Sequence, residues 1–125
     1  MAIVGLGLDI CSVARIEAVL AGPRGQKFLE RVYTQGERAL CSARADFASA
    51  YAARFAAKEA FVKALGAPAG IRWRDMEVAR AGGAPHFILT GVARELMDRR
   101  GWTAFLALTH DAGIAAATVV LEANP

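Results

Sequence analysis

The sequence has few of the features that mark disulfide-rich, zinc-binding or multidomain proteins. Its two cysteines, Cys11 and Cys41, lie thirty positions apart, with no C-x-x-C motif and no histidines at the spacing of a zinc site. The chain of 125 residues is too short for two domains, and it contains no internal repeat, linker or low-complexity tract. We therefore expect residues 1–125 to form a single domain with free thiols, which suits the reducing cytoplasm.

The sequence also lacks a strong excess of charge and a clear membrane segment. Its net charge of +3 is far below the clustered basic density of nucleic-acid-binding proteins. Residues 1–10 are apolar but have no positive region and no cleavage pattern of a signal peptide. The apolar run 102–121 contains His110 and Asp111 before an Ala-Gly pair, which predicts a hairpin between two strands rather than a membrane span. We expect neither a nucleic-acid partner nor a membrane partner.

Hydrophobic residues, many of them alanine, make up 55% of the chain and form alternating and helical patterns. Helix starts are indicated by Ser12 and by the capping-box sequence that begins at Thr34. The predicted elements are a strand over 2–10, helices over 13–21, 27–31, 35–41, 46–65 and 92–100, strands over 71–78 and 86–89 around a turn at 82–85, and strands over 103–109 and 114–122. This order predicts an α+β fold in which an antiparallel sheet packs against a long buried helix.

The long helix holds the first candidate functional residues. Between residues 47 and 65 its charged residues are Arg54, Lys58, Glu59 and Lys63, and the rest are apolar or small. A helix that is apolar nearly all round is buried nearly all round, so these charges need partners or a ligand. The alternative is an ordinary exposed pair between Glu59 and Lys63, four residues apart.

Asp9 is a second unusual charge, because it lies near the end of an apolar strand. Strand alternation places it on the same face as Gly5 and Gly7, where a partner can approach the backbone closely. Alternatively, Asp9 helps Ser12 to cap the following helix. Two carboxylates in apolar surroundings, Asp9 and Glu59, with cations nearby suggest a Mg²⁺ site that also takes a phosphate ligand.

The two histidines have different expected roles. His110 stands in a Thr-His-Asp string at the predicted hairpin tip, and a phosphate contact is favoured there over a catalytic triad, whose members are seldom adjacent in sequence. His86 follows Pro85 and is interpreted as an edge-strand residue.

Three segments together resemble a known family. They are residues 5–10 (GLGLDI), 15–17 (RIE) and 54–66 (RFAAKEAFVKALG), supported by residues 28–31 (FLER), the Gly-x-Pro turn at 83–85 and the closing Thr-His-Asp. The chain resembles, over nearly its whole length, the small 4′-phosphopantetheinyl transferases of the holo-acyl-carrier-protein synthase type. The long-helix motif is highly specific, whereas G-x-D alone would be weak.

The resemblance implies an activity and a set of site residues. The activity is transfer of the 4′-phosphopantetheine arm from coenzyme A to a serine of an apo acyl carrier protein, with release of adenosine 3′,5′-bisphosphate. In the family, the residues that match Asp9 and Glu59 bind Mg²⁺ together with the coenzyme A pyrophosphate. Lys63 would stabilise or protonate the departing α-phosphate. Whether Glu59 also acts as the general base stays open.

The same resemblance implies further binding residues. His110 would contact a phosphate, Pro85 would form part of the nucleotide pocket, and Arg54 and Lys58 would bind coenzyme A or shape its site. Arg15 matches the position at which the family docks the acidic carrier protein. Arg24, Lys27 and Arg31 either extend this basic surface or are ordinary solvated charges.

The sequence departs from the family pattern at three positions. Ala84 stands where the Gly-x-Pro turn often carries a cation, Thr109 replaces a serine, and Gly36 replaces a proline. The first change could weaken nucleotide affinity, while the others look tolerable.

The resemblance also implies an assembly. Small members of the family form homotrimers whose sites lie at the subunit interfaces, and such contacts would bury the alanine face of the long helix and the apolar strands. The competing function is a non-catalytic module that binds coenzyme A or docks carrier proteins. Whether the carrier belongs to fatty acid biosynthesis, and so to lipid metabolism, or to polyketide synthesis is left open.

Overall fold

The structure is a computed structural model, which describes residues 1–80 and 82–125. The strands are β1 (Ile3–Ser12), β2 (Met76–Ala79), β3 (His86–Leu89), β4 (Trp102–Asp111) and β5 (Ile114–Ala123). The helices are α1 (Val13–Ala21), α2 (Gly25–Val32), α3 (Gln35–Ser42), α4 (Phe47–Ala64) and α5 (Gly91–Arg100), with a short 3₁₀ helix at Trp73–Asp75. The predicted α+β class is confirmed.

The strands form two antiparallel sheets rather than one. In the larger sheet the order is β1-β5-β4, and in the smaller β2 pairs with β3. The predicted closing hairpin is confirmed, because β4 and β5 pair from Trp102 opposite Ala123 to Asp111 opposite Ile114. No helix in residues 1–80 and 82–125 is both long and apolar enough to cross a bilayer.

Helix α4 packs directly on the larger sheet through two glycines of β1. A side chain at Gly5 would collide with the backbone oxygen of Ala64, and one at Gly7 with that of Ala60. The space that the glycines leave is therefore filled by the backbone of α4, and this close approach holds the helix across Asp9. The expectation that the alanine face of this helix packs against another subunit is wrong, since that face covers the chain's own sheet.

The opposite face of the larger sheet is apolar and exposed. Leu6, Leu8 and Ile10 of β1 are 67%, 62% and 66% exposed, and Phe105 of β4 is 53% exposed. Leu6 and Phe105 both lie opposite Val120 of the central strand, so these side chains share one surface. We call this surface, formed by Leu6, Leu8, Ile10, Phe105 and Val120, the open sheet face.

The predicted helix caps are confirmed. The Ser12 hydroxyl accepts a hydrogen bond from the backbone N–H of Arg15. Both bonds of the capping box are present, between the Thr34 hydroxyl and the Glu37 N–H and between the Glu37 carboxylate and the Thr34 N–H. Local sequence chemistry was sufficient here because a cap needs only residues three positions apart.

The strand predicted over 71–78 is wrong for most of its length. Trp73–Asp75 form a 3₁₀ turn, and β2 begins only at Met76. The Asp75 carboxylate accepts a hydrogen bond from the Arg72 N–H, and the Lys58 ammonium binds the carbonyl of Trp73. The contact with α4 therefore stabilises a turn at Trp73–Asp75, although the sequence pattern of this segment favours a strand.

Candidate active site

Asp9 and Lys63 meet where β1 crosses the end of α4. The Lys63 Nζ donates to Asp9 Oδ1 at 2.6 Å and lies 3.4 Å from the carbonyl oxygen of Leu8. The bond to Asp9 raises the pKa of Lys63. The Asp9 side chain is 10% exposed and that of Lys63 is 55% exposed, so the pair lies at the protein surface with its carboxylate largely enclosed.

Glu59 completes this cluster, one helical turn before Lys63. Its pKa is raised, first by burial and then by the charge of Asp9; Lys63 and Arg15 oppose the shift. Two carboxylates this close repel each other when both are ionised, and a cation between them relieves the repulsion. The donor set therefore suits a hard divalent cation.

The cluster decides between the alternatives raised by the sequence. Lys63 bonds to Asp9 of the neighbouring strand, so it is not simply the partner of Glu59 on an exposed helix face. The Ser12 hydroxyl caps α1 itself, so Asp9 is not needed for the cap and contacts Lys63 of α4 instead. The described residues contain no group of three or more histidine, cysteine, aspartate or glutamate side chains placed to hold a metal. Two carboxylates are nevertheless what Mg²⁺ commonly takes from a protein when a substrate supplies phosphate oxygens.

Arg54 and His110 come together in a separate hollow of about 450 Å³ between the start of α4 and the end of β4. Arg54 is 5% exposed, and its Nε is buried without a hydrogen-bond partner among the described residues, although one Nη donates to the Ala50 carbonyl at 3.3 Å. An unpartnered guanidinium nitrogen beside a histidine suits an anion.

Sequence reasoning missed two cations of this hollow, Arg44 and Arg80. Arg44 forms a two-point pair with the Asp46 carboxylate, at 2.7 and 3.0 Å. Arg80 directly follows β2, and its place before the glycine turn was the only signal in the sequence. Pro85 precedes β3 and does not line this hollow.

Lys58 lies elsewhere, in the interior. Its side chain is fully buried, and its Nζ donates to Glu37 Oε1 at 2.8 Å and to the carbonyls of Trp73 and Met76 at 3.0 and 2.6 Å. The other Glu37 oxygen accepts from the Val78 N–H at 2.9 Å. Burial lowers the pKa of Lys58, and Glu37 opposes that shift. Within this arrangement Lys58 joins α3, α4 and β2 and presents no donor to a ligand, so it can act on a binding site only by shaping it.

Arg15 lies in the first turn of α1 with its side chain exposed. Its charge lowers the pKa of Glu59, which places it beside the carboxylate cluster. The structure thus brings Asp9, Glu59, Lys63 and Arg15 into one region, and Arg54 with His110 into another.

Comparison with known proteins shows the family of the chain. The sequence profile of the 4′-phosphopantetheinyl transferase superfamily matches residues 5–117. A holo-[acyl-carrier-protein] synthase of Myxococcus xanthus is 71% identical over 124 residues, which are 99% of this chain and 98% of that protein.

Solved structures of the same kind share the fold. The holo-[acyl-carrier-protein] synthase of Helicobacter pylori in complex with coenzyme A is 35% identical with a TM-score of 0.80, over 94% of this chain and 99% of that one. The corresponding enzyme of Neisseria meningitidis is 30% identical with a TM-score of 0.85, over 97% and 99%.

Two carboxylates and a lysine at a strand-helix crossing, on an α+β chain that also carries a separate basic hollow, are groups that phosphate-transferring enzymes use. The chain belongs to the 4′-phosphopantetheinyl transferase superfamily. Its matches along the full length are with the holo-[acyl-carrier-protein] synthases of that superfamily.

Proposed function

We propose that this chain transfers the 4′-phosphopantetheine arm of coenzyme A to a serine of an apo acyl carrier protein. The observation that carries the proposal is the cluster of Asp9, Glu59 and Lys63, in a chain that matches holo-[acyl-carrier-protein] synthases from end to end. The serine hydroxyl oxygen forms a bond to the β-phosphorus of coenzyme A. The bond from that phosphorus to the bridging oxygen breaks, the serine hydroxyl gives up its proton to Glu59 or to the solvent, and adenosine 3′,5′-bisphosphate leaves.

Asp9 and Glu59 are the residues that would hold Mg²⁺. The ion, when bound, supplies positive charge that offsets the charge of the pyrophosphate. Lys63 carries its ammonium at the surface beside Asp9, with its proton firmly held because that bond raises its pKa. It is therefore placed to donate a hydrogen bond to the departing phosphate, whose negative charge grows as the bond between phosphorus and oxygen breaks.

The hollow that Arg54 and His110 line, here called the nucleotide hollow, is assigned to the phosphate-bearing end of coenzyme A. Arg54 offers an unpartnered buried nitrogen there, and Arg44, Arg80 and His110 surround the same space. Guanidinium groups bind phosphate oxygens through paired hydrogen bonds. Pro85, in the β2–β3 turn, is proposed to form one wall of the nucleotide pocket. Lys58 is proposed to shape the site through its buried contacts.

The basic residues of α1 and α2 are proposed to dock the acidic carrier. Arg24, Lys27 and Arg31 line one surface hollow of about 470 Å³ together with Phe28, and Val19 of this hollow stands one helical turn after Arg15. We call this the docking hollow. Because the cations share one concave surface beside the site, docking is favoured over independent solvated charges.

The open sheet face is proposed as the contact between copies of the chain, in a homotrimer. An exposed apolar surface of this kind marks a protein interface. The cluster of Asp9, Glu59 and Lys63 is separate from the nucleotide hollow on one protomer. In an assembly, the cluster of one copy would face the hollow of its neighbour. Assembly would therefore complete the site.

Replacing Leu8 by glutamate is expected to break this assembly. Burying one leucine side chain contributes roughly 1.5–3 kcal/mol, and a charge in the interface reverses that gain. Light scattering coupled to size-exclusion chromatography should show the wild type as a trimer and Leu8→Glu as a monomer with reduced transfer activity. Ile88→Glu is the control, because Ile88 is exposed on the other sheet. A wild-type monomer, or a trimeric Leu8→Glu, would contradict the proposal.

The decisive test of function uses the purified chain with coenzyme A, Mg²⁺ and several apo carrier proteins of fatty acid and polyketide synthesis. Mass spectrometry should find the added phosphopantetheine arm on at least one carrier, and the preferred carrier would show which kind of synthesis the chain serves. Binding of coenzyme A or of carriers without any mass shift would instead favour a non-catalytic module. The reaction is placed in the cytoplasm, which fits the free thiols of Cys11 and Cys41.

A further inference from the structure

A second basic hollow adjoins the docking hollow on the side away from α1. It has a volume of about 530 Å³, and Arg31 lines both hollows. Arg72, Trp73 and Arg74 form much of its remaining wall. The two hollows are therefore neighbouring parts of one basic surface that runs from α2 to the segment before β2.

The second hollow has little negative charge available to neutralise its arginines. Among its described lining residues, Asp75 supplies one negative charge against three arginines, and its carboxylate is held by the backbone N–H of Arg72 and packs against Gly91. The side chains of Arg31, Arg72 and Arg74 are exposed, so their charges face the solvent. Three guanidinium groups around one concavity suit an acidic partner.

A row of packed aromatic rings connects the two hollows and continues toward the active site. Phe28 of the docking hollow lies 5.8 Å from Phe55, measured between ring centroids, and Phe55 lies 5.3 Å from Trp73 of the second hollow. Phe55 precedes Glu59 by four residues on α4, so it occupies the same side of the helix one turn earlier. A rigid floor of this kind holds the basic surface in a constant position relative to the carboxylate cluster.

We infer that the carrier-docking surface extends beyond Arg31 into the second hollow, where Arg72 and Arg74 bind an acidic segment of the carrier protein. This inference rests on the proposed function, because it names the part of the same enzyme that receives the carrier. Coenzyme A is assigned to the nucleotide hollow, whose described lining shares no residue with the second hollow. Arg72 and Arg74 therefore set the affinity for the carrier, and they leave both the affinity for coenzyme A and the chemical step unchanged.

Charge reversal at both arginines tests the inference kinetically. Arg72→Glu/Arg74→Glu should raise the KM for the apo carrier about tenfold and weaken its dependence on salt. The KM for coenzyme A and the kcat at saturating carrier should stay at wild-type values. Lys27→Glu, in the docking hollow, is the positive control, and Arg99→Glu, exposed at the end of α5, is the matched negative control.

The fluorescence of Trp73 reports the same contact directly. Because Trp73 and Trp102 are the two tryptophans of the chain, Trp102→Phe leaves Trp73 as the single reporter. Its emission should change during titration with apo carrier, and Trp73→Phe, which retains Trp102, should show no such change.

Three results would overturn the inference. One is a wild-type KM for the carrier in Arg72→Glu/Arg74→Glu when Lys27→Glu raises it, which would leave the docking hollow and the proposed function intact. Another is a higher KM for coenzyme A in the double variant, which would assign the second hollow to coenzyme A. Failure of the wild type to modify any carrier would overturn the proposed function and this inference with it.

Discussion

Glu59→Gln is expected to lower the rate of phosphopantetheine transfer by about 10³-fold or more, because it removes a charged ligand from the proposed Mg²⁺ site. The amide has the shape of the carboxylate but cannot carry its negative charge. Calorimetric titration with Mg²⁺ in the presence of coenzyme A should lose most of the heat of binding seen for the wild type. The rate is measured by the mass shift of the apo carrier.

The same substitution should leave the fold intact. Burial and the charge of Asp9 raise the pKa of Glu59, so the folded protein holds this ionised carboxylate less favourably than the unfolded chain does. At a pH above that raised pKa, removing the charge should therefore keep the free energy of unfolding equal to that of the wild type or increase it. Glu95→Gln, at an exposed position of α5, is the matched control and should change neither rate nor stability. Near-wild-type transfer by Glu59→Gln would refute the metal role.

Lys58→Met is expected to cause the largest loss of stability, about 3–5 kcal/mol, because it leaves the Glu37 carboxylate buried without its cation. Glu37 is 1% exposed, and the carbonyls of Trp73 and Met76 lose their donor in the same change. Urea unfolding at a fixed protomer concentration measures the effect, since the proposed assembly would make stability depend on concentration.

A double variant separates charge from packing in this prediction. Glu37→Gln/Lys58→Met removes both charges and should recover part of the lost free energy of unfolding. Arg94→Met is the control, because it breaks the exposed pair between Arg94 and Asp98 and should cost less than about 1 kcal/mol. An unfolding midpoint for Lys58→Met equal to that of the control would show that the buried pair does not stabilise the fold.

The fold class and the main residues of the proposed site could be read from the sequence. Caps at Ser12 and Thr34, the Ala-Gly pair of the closing turn and the alternation of β1 act over a few residues, so their outcome is visible locally. The same alternation placed Asp9 with Gly5 and Gly7 on the face that α4 covers. The sequence motif of α4 predicts Glu59 and Lys63 as functional residues.

Other features could not be predicted, because they depend on residues that are distant in the chain. Lys58 has the same local surroundings as Glu59, yet its ammonium lies in the core because Glu37 and two carbonyls meet it there. Arg44 and Arg80 join Arg54 at one hollow although thirty-six positions separate the first two. No local pattern encodes such meetings.

The sequence by itself determined an α+β domain with a carboxylate on β1 and a carboxylate and a lysine on α4. Only the tertiary structure decided where each charge and each apolar face lies. The glycines of β1 let the backbone of α4 approach, so the alanine face packs inward and the leucine face of the sheet stays open. The physical reason is that the type of a residue sets the free-energy cost of burying its side chain, whereas the packing of whole helices and strands determines which side chains and backbone groups contact it.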